Sequence, residues 1–412
     1  MKSIVILGST GSIGENTLRV VESLPNRLRV VGLAADTSAN RLIEQALEFG
    51  VRQVALANPI AAESIRELAA KHGIEVLVGD QGVVMLAAVP EADTVLCALV
   101  GLSGLRPVIA AIEAGHDVAL ATKEVLVAAG EMVMGLARKR GVNILPIDSE
   151  HSALFQCMQA RDVSLACTQR NLNPALLNRA DSPVQRLVLT ASGGPFARQP
   201  QVDFDAVTPA EALAHPRWKM GPKVTIDSAT MMNKGFEILE ARWLFDVPVE
   251  RIDVVVHPES IIHSMVSFVD GSTLAQLSAP DMRLAIQYAL TWPERYPSAL
   301  PLIDLIAQKN LTFQPPDESR FPCLRLIREA ARAGGTMPTV VNAADEVAVE
   351  AFLAGQLSFS GISRVIEEVM QLHSVVECRA LETVFSTDDW ARRCAEQRIA
   401  FENRRPASSP LS

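Results

Sequence analysis

Two carboxylates one residue apart, Asp148 and Glu150, follow directly on a short apolar run that ends at Pro146 and Ile147. Read as the end of a buried strand, the run leaves both side chains on one face of extended chain. Like charges that close repel and raise each other's proton affinity, unless a cation lies between them or one acts as an acid. Oxygen ligands of this kind suit Mg²⁺ or Mn²⁺. The plainer alternative is a solvated acidic turn in which Asp148 caps a helix starting near Ser152. A third carboxylate stands in the run Ile226–Phe245, where Ser228, Asn233, Lys234 and Glu237 fall within about three helical turns. Asn233 and Glu237 are spaced four apart, on one face of such a helix. Serine and asparagine offer neutral hydrogen bonds, Lys234 offers a point charge for a phosphate, and Glu237 could complete a metal site.

Other residues suited to anions lie between these two groups. Ser192-Gly193-Gly194 closes the strand-like run Leu187–Thr190 and could present a hydroxyl and backbone N–H groups to a phosphate, or be only a tight turn. The stretch from His215 to Gly221 mixes Trp218, Arg217, Lys219, proline and glycine without apolar periodicity. Such a segment has little to bury and fits a lid over a substrate, with His215 as a contact.

The elements that must position these groups begin at the N-terminus. Seven apolar runs at 4–7, 30–34, 54–56, 75–78, 94–98, 118–121 and 143–146 alternate with helix-length stretches such as 16–24 and 39–49. That alternation predicts βαβ units and a doubly wound parallel sheet, an α/β dinucleotide-binding domain over 1–147. Its first turn, Gly8-Ser9-Thr10-Gly11-Ser12-Ile13-Gly14, lies between strand and helix, where glycines let the backbone approach a pyrophosphate. After the second strand, Asp36 is either a helix cap or an acceptor for the adenosine ribose diol, which favours NADH over NADPH. Arg41, one turn on, could still meet a 2′-phosphate. Lys123 and Glu124 follow the sixth strand, where ligands of open α/β sheets bind.

Composition sets the class. A chain of 412 residues exceeds one core, and 49% hydrophobic with 21% charged residues describes a packed globule. A net charge of −9 without a basic run excludes a nucleic-acid surface. Six cysteines without a C-x-x-C pair suit a reducing compartment. No stretch approaches the ~20 apolar residues that span a bilayer, and the opening apolar run is too short for a signal peptide, so a cytoplasmic protein is expected. An α+β catalytic and dimerisation domain is expected over 148–291, with a loop insertion at 162–183. A proline-rich linker over 292–322, a C-terminal helical bundle over 323–403 and a disordered tail over 404–412 complete the plan.

Taken in order, GSTGSIG, DSEH, SGGPF, HPRWKMG, DSATMMNKGFE, HPESIIHSM and VNAADEVAVEAFL resemble the 1-deoxy-D-xylulose 5-phosphate reductoisomerase family over nearly the whole chain. The resemblance implies conversion of 1-deoxy-D-xylulose 5-phosphate to 2-C-methyl-D-erythritol 4-phosphate, on the non-mevalonate isoprenoid route, by metal-assisted rearrangement and hydride transfer. It implies Asp148, Glu150 and Glu237 as metal ligands. Lys123, Ser149, Glu150, Ser192, His215, Ser228, Asn233, Lys234 and Glu237 would contact the sugar phosphate, with Trp218 on the lid. Lys123, Asp148, Glu150 and Glu237 would carry the chemistry, and the partner would be a second copy in a homodimer.

Thr10, Gly11, Ser12, Ile13, Glu124 and Gly221 fall at the family's NADPH positions. Two departures lie on that side. Asp36-Thr37-Ser38 replaces the family's glycine, basic or small residue and asparagine, and Thr122-Lys123-Glu124-Val125 replaces Asn-Lys-Glu-Ser. Asp36, Ser38 and Thr122 therefore join the cofactor set with NADPH and NADH both open. A related metal-dependent NAD(P) oxidoreductase or isomerase of another sugar phosphate fits the same residues, as does a nucleotide sensor without catalysis.

Overall fold

The computed structural model describes residues 1–159, 182–199, 201–218 and 220–402. The insertion expected at 162–183 falls outside them except for Ser182 and Pro183, as do Lys219, Cys167 and the tail from 403.

The N-terminal half alternates as its periodicity predicts. Strands β1 (Lys2–Leu7), β2 (Leu28–Ala35), β3 (Gln53–Leu56), β4 (Glu75–Val78), β5 (Thr94–Cys97), β6 (Asp117–Leu120) and β7 (Ile144–Pro146) alternate with six helices. These are α1 (Ser12–Ser23), α2 (Ala39–Phe49), α3 (Pro59–Lys71), α4 (Gly79–Ala87), α5 (Leu105–Ala114) and α6 (Glu124–Arg140). The strands form one parallel sheet in the order β4-β3-β2-β1-β5-β6-β7. Ile4, Val5, Ile6 and Leu7 are fully buried, as are Val95, Leu96 and Cys97 beside them, because helices cover both faces. The order reverses between β1 and β5, which opens a crevice beyond their carboxyl ends. Gly8 turns the chain there at φ 87°, and a Cβ on it would lie 2.5 Å from the Ala98 carbonyl oxygen.

From Ser149 the architecture changes to α+β. Helix α7 (Ser149–Gln159) leaves the first sheet, and a second sheet follows from β8 (Val184–Ala191), β9 (Ile252–Val256), β10 (Ile262–Phe268) and β11 (Thr273–Leu277). Its order is β11-β10-β8-β9, with β8 and β9 parallel and the rest antiparallel. Helices α8 (Pro209–Ala212), α9 (Pro222–Thr230) and α10 (Met232–Phe245) lie between β8 and β9 in the chain, and α11 (Met282–Thr291) follows β11. Residues 292–322 are largely irregular, holding only α12 (Leu305–Gln308) and a bridge from Gln314 to Val256. Helices α13 (Cys323–Ala333), α14 (Met337–Leu353), α15 (Phe359–Leu372) and α16 (Leu381–Glu402) pack together, with α14 against all three others.

The helix expected to run unbroken through 226–245 is two helices. Met231 adopts φ 64° between α9 and α10, a left-handed conformation that ends the first helix and starts the second. Ser228 therefore belongs to one helix, and Asn233, Lys234 and Glu237 to the next.

The first turn is tightly closed. A Cβ on Gly14 would lie 2.3 Å from the Gly8 carbonyl oxygen and 2.4 Å from Ser9 Cα, whereas a Cβ on Gly135 in α6 meets nothing within 4 Å. Gly14→Ala is expected to destabilise the chain by about 1–3 kcal/mol through backbone overlap. Gly135→Ala should stabilise by roughly 0.5–1 kcal/mol, because alanine is the better helix former. Urea unfolding of the two variants beside the parent measures both, and equal effects of the same sign would contradict the account.

Candidate active site

The acidic pair is not in extended chain. Ser152 donates its backbone N–H to the Asp148 carbonyl at 2.8 Å, so the helix begins at once and Asp148 precedes it while Glu150 lies in its first turn. The carboxylates converge because the chain changes direction between them, rather than through strand alternation. Glu237 of α10 meets them, and one oxygen from each of Asp148, Glu150 and Glu237 lies within 4.8 Å of the other two.

Two ammonium groups hold these carboxylates apart. Lys123, just before α6, donates to Asp148 Oδ2 at 2.5 Å, to Asn233 Oδ1 at 3.0 Å and to Glu237 Oε1 at 3.3 Å. Lys234 donates to Glu150 Oε1 at 2.8 Å and to Glu237 Oε2. Asn233 Nδ2 donates to Glu237 Oε1 at 2.6 Å, as its four-residue spacing allows, and Ser149 Oγ donates to Glu150. Burial alone would lower the Lys123 pKa, but the charges of Asp148 and Glu237 outweigh it and keep the group an ammonium. Burial opposes the ionisation of Asp148 too, and Lys123 reverses that, holding the carboxyl well below its usual range. Glu237 goes the other way: burial and then the Glu150 charge raise it to about 7, with Lys234 and Lys123 only partly offsetting them. Three carboxylates against two ammonium groups leave an excess of negative charge. With an all-oxygen donor set, the trio is suited to a hard divalent cation.

A layer behind the trio was not anticipated from the sequence. His151 Nε2 bonds the Glu237 backbone carbonyl oxygen at 2.9 Å, and its Nδ1 faces Glu240 Oε2 at 3.3 Å. Both side chains are fully buried, so they orient α7 against α10 beneath the trio. The signals were available: His151 follows Glu150, and Glu240 lies one helical turn beyond Glu237.

A second group is assembled on the β8 side. Gly193 and Gly194 turn the chain at φ 81° and 65°, and a Cβ on Gly194 would lie 2.7 Å from the Ser228 carbonyl oxygen. The Ser192 loop thus packs directly on α9. His215 Nδ1 accepts the backbone N–H groups of Trp218 at 2.9 Å and Arg217 at 3.2 Å. That assigns the proton to Nε2, which donates to Ser192 Oγ at 3.0 Å. Burial lowers the His215 pKa, in keeping with this neutral form. Trp218 lies edge-on to His263, with centroids 6.4 Å apart. Ser192 and His215 are thus hydrogen-bonded to each other, and the loop that carries Ser192 packs on the backbone at Ser228. Asn233 and Lys234, expected beside them, are instead bonded to the carboxylates.

The residues expected on the cofactor side lie at the ends of β1, β2 and β6 and at the start of α9. Gly11 caps α1 and donates its N–H to the Gly8 carbonyl at 3.1 Å, so the turn after Thr10 offers the N–H groups of the first helical residues, Ser12 and Ile13, at the positive helix end. Asp36 is exposed beyond β2, and the cap of α2 is Ser38, so Asp36 is not the cap. Arg41 is not free for a phosphate, because Glu15 binds it through Nε at 2.8 Å and Nη2 at 3.0 Å. The Thr122 hydroxyl is buried on the Leu99 carbonyl at 2.5 Å, a scaffold bond at the end of β5. Gly221 caps α9, and Glu124 opens α6 close enough to act on the charge of Lys223 in α9.

Three family models match the chain: "1-deoxy-D-xylulose 5-phosphate reductoisomerase" over residues 4–130, the C-terminal domain of that enzyme over 144–245, and "DXP reductoisomerase C-terminal domain" over 277–394. A 1-deoxy-D-xylulose 5-phosphate reductoisomerase of Anaeromyxobacter is 49% identical over 99% of this chain and 100% of its own length. The chain belongs to the 1-deoxy-D-xylulose 5-phosphate reductoisomerase family. A relative of that name from Thermodesulfovibrio yellowstonii is 46% identical over 97% of this chain and all of its own. Among solved structures, a DOX-P reductoisomerase in complex with NADPH, fosmidomycin and magnesium superposes with a TM-score of 0.90. It is 37% identical and covers 98% of this chain and 100% of that one. The enzyme of Zymomonas mobilis in complex with NADPH gives 0.86 at 37% identity, covering 97% and 99%.

The raised Glu237 carboxyl sets a pH dependence. Below about pH 7 the proton on Glu237 competes with a cation, so Mn²⁺ affinity should fall by up to about tenfold per pH unit there and level off above it. Calorimetric titration with Mn²⁺ across this range is the check, with Glu237→Gln expected to weaken binding throughout. Affinity that is flat across pH 7, or unchanged in Glu237→Gln, would remove Glu237 from the trio.

Proposed function

We propose that this site converts 1-deoxy-D-xylulose 5-phosphate to 2-C-methyl-D-erythritol 4-phosphate with NADPH and Mg²⁺ or Mn²⁺. The observation that carries the reading is the convergence of Asp148, Glu150 and Glu237 beside Lys123, at the carboxyl end of the first sheet. A sensor that kept only the fold would have no use for three carboxylates held against their mutual repulsion. When bound, the cation stabilises negative charge on the substrate oxygens as a carbon–carbon bond breaks and re-forms, and NADPH supplies the hydride.

The remaining work belongs to side chains. Asp148, Glu150 and Glu237 hold the cation and would exchange their ammonium partners for it. Lys123, an ammonium at neutral pH, donates hydrogen bonds to substrate oxygens and does not act as a base. Ser149 and Glu150 lie beside it for the same oxygens. Ser192, His215 and Ser228 take the phosphate, His215 offering Nε2–H, and Asn233 and Lys234 would be free to join them once Asp148, Glu150 and Glu237 held the cation. Phosphate binding provides energy away from the reacting carbons that orders the segment carrying Trp218 and excludes water. The turn from Thr10 to Ile13 cradles the NADPH pyrophosphate, with Asp36 and Ser38 at the ribose and Thr122, Glu124 and Gly221 toward the nicotinamide.

The division into a dinucleotide-binding domain over 1–147, a catalytic domain over 148–291 and a helical bundle over 323–403 matches these roles. Among the described residues no strand pairs with the outer edge of β11, which carries exposed Leu274, with Val269 exposed on the hairpin before it. Such an edge favours pairing with a second copy across a two-fold axis. No helix of the described residues is long and apolar enough to cross a membrane, and a cytoplasmic homodimer is the reading taken.

Three measurements test these readings. NADPH oxidation with 1-deoxy-D-xylulose 5-phosphate and Mg²⁺ or Mn²⁺ should be robust in the parent and abolished in Glu237→Gln with NADPH binding retained; no turnover in the parent ends the proposal. Because Arg41 is committed to Glu15, Asp36 should oppose the 2′-phosphate unaided. Asp36→Gly should then raise the ratio of kcat/KM for NADPH to that for NADH by about 5- to 150-fold, corresponding to ~1–3 kcal/mol between like charges. An unchanged ratio would place the carboxylate away from the ribose. Light scattering should give twice the chain mass of 44.5 kDa, with Leu274→Glu shifting the population toward monomer, and a monomeric parent would refute the dimer.

A further inference from the structure

Away from the carboxylate trio, a second ionic cluster joins α9 to the C-terminal bundle. Lys223 Nζ lies 2.5 Å from Asp227 Oδ2 on its own helix and 2.9 Å from Asp345 Oδ2 on α14. Both carboxyls are shielded from solvent, Asp227 at 2% and Asp345 at 0% exposure. The Phe236 ring lies under the ammonium at 4.7 Å. Few arrangements are harder to keep in a dry interior, since two ionised carboxylates against one ammonium leave an uncompensated charge. Asp227 Oδ1 and Asp345 Oδ1 also lack a donor among the described residues, which a proton held between the carboxyls would provide.

The other groups that act on the cluster bring negative charge or none. From α13 the Cys323 thiol approaches, bonded to Thr230 and pushed up by burial and the Asp345 charge, so it brings no charge. Glu346 adds a further negative charge on the α14 side, and Glu124 of α6 acts on Lys223. Burial and then the charge of Asp345 push Asp227 well above the usual carboxylate range, and burial also raises Asp345 despite Lys223. One proton held between the carboxyls, on Asp227, would make the cluster neutral as one ammonium, one carboxylate and one carboxylic acid.

Its position gives it a use. Asp227 immediately precedes Ser228, and α9 starts at Pro222, directly after the segment bearing His215 and Trp218. On one side α9 rests on Gly194, whose missing Cβ admits the Ser228 carbonyl, and on another it is tied by Lys223 and Asp227 to Asp345. We propose that Lys223, Asp227 and Asp345 are positioning residues, a clamp from the C-terminal bundle that fixes α9 and with it the Ser228 contact to the substrate phosphate. The inference rests on the reading of Ser228 as a phosphate contact.

The test separates clamp from scaffold. Asp345→Asn leaves Asp227 as the one carboxylate facing the ammonium and keeps a hydrogen-bonding link to α14, so its KM for 1-deoxy-D-xylulose 5-phosphate should stay within about threefold of the parent. Asp345→Ala cuts the link, and its KM for that substrate should rise by about tenfold or more, with KM for NADPH and kcat at saturation little changed. An unchanged substrate KM in Asp345→Ala, an equal rise in both KM values, or an Asp345→Asn as damaged as Asp345→Ala would overturn the clamp.

Infrared spectroscopy at neutral pH supplies a readout independent of turnover and of whether Asp345→Ala folds. The parent should show the carbonyl stretch of a buried protonated carboxyl, and Asp227→Asn and Asp345→Asn should each remove it. Absence of a band with that behaviour would refute the shared proton. If the parent does not turn over 1-deoxy-D-xylulose 5-phosphate, the proposed function fails by itself, and the infrared result still decides the state of the cluster.

Discussion

Everything near the site follows from the cost of holding three carboxylates together. Asp148 comes from the turn before α7, Glu150 from α7 and Glu237 from α10, and the ammonium between Asp148 and Glu237, Lys123, follows β6 of the first sheet. Removing such charges from water is expensive, and they stay ionised only where opposite charges are fixed at contact distance. The balance is uneven: Asp148 has an ammonium at 2.5 Å and is held ionised, while the more deeply buried Glu237 is raised to about 7. A site in which one ligand remains half-protonated near neutral pH is ready to exchange a proton for a cation. The scaffold must resist repulsion in the meantime, and the buried pair of His151 and Glu240 beneath it contributes to that resistance.

Much of this was legible in the sequence, for reasons that differ by element. The parallel sheet was readable because strands covered on both faces must be continuously apolar, and β1 to β7 lie within a few residues of their runs. The first turn was readable because Gly8 and Gly14 occupy places where a Cβ would strike backbone. The carboxylates were identifiable by type and proximity. Their geometry was not, since Asp-Ser-Glu can close a strand or open a helix, and the bond from Ser152 to Asp148 decides for the helix. Nothing in the apolar spacing of 226–245 signals the left-handed residue at Met231, which is neither glycine nor asparagine. Partners far apart in the chain were also hidden: no local pattern announces that Asp345 meets Lys223.

The cofactor side illustrates how a reading of single residues can mislead. Arg41 stands one turn after Asp36 and looks available to offset it. In the fold, Glu15 takes Arg41 in a two-pronged bond, and Gln45 links the same carboxylate to the Ser9 carbonyl. The arginine thereby braces the first helix against the second next to the glycine turn. Relatives of similar fold are solved with NADPH. A carboxylate beyond β2 with no cation bound to it among the described residues must then either turn away from the ribose or weaken the discrimination between the two nicotinamide cofactors.

The separation between Lys123 and Glu237 depends on how closely α6 and α13 pack on α10. Helix α6 begins just after Lys123 and crosses α10 where Gly130 faces Trp243, and a Cβ on Gly130 would lie 2.2 Å from the indole. On the other side of α10, Gly235 faces Ile327 of α13, where a Cβ would meet Cγ2 at 2.7 Å. The two missing side chains let three helices approach more closely than larger residues would permit. Next to Gly130, Ala129 departs from helical geometry at φ −136°, so α6 bends where it passes the indole. Enlarging either glycine would push α10 away from one neighbour, and the ammonium just before α6 and the carboxylate on α10 would part. The acidic trio is therefore held as much by the absence of two Cβ atoms in an apolar crossing as by the charges that meet within it.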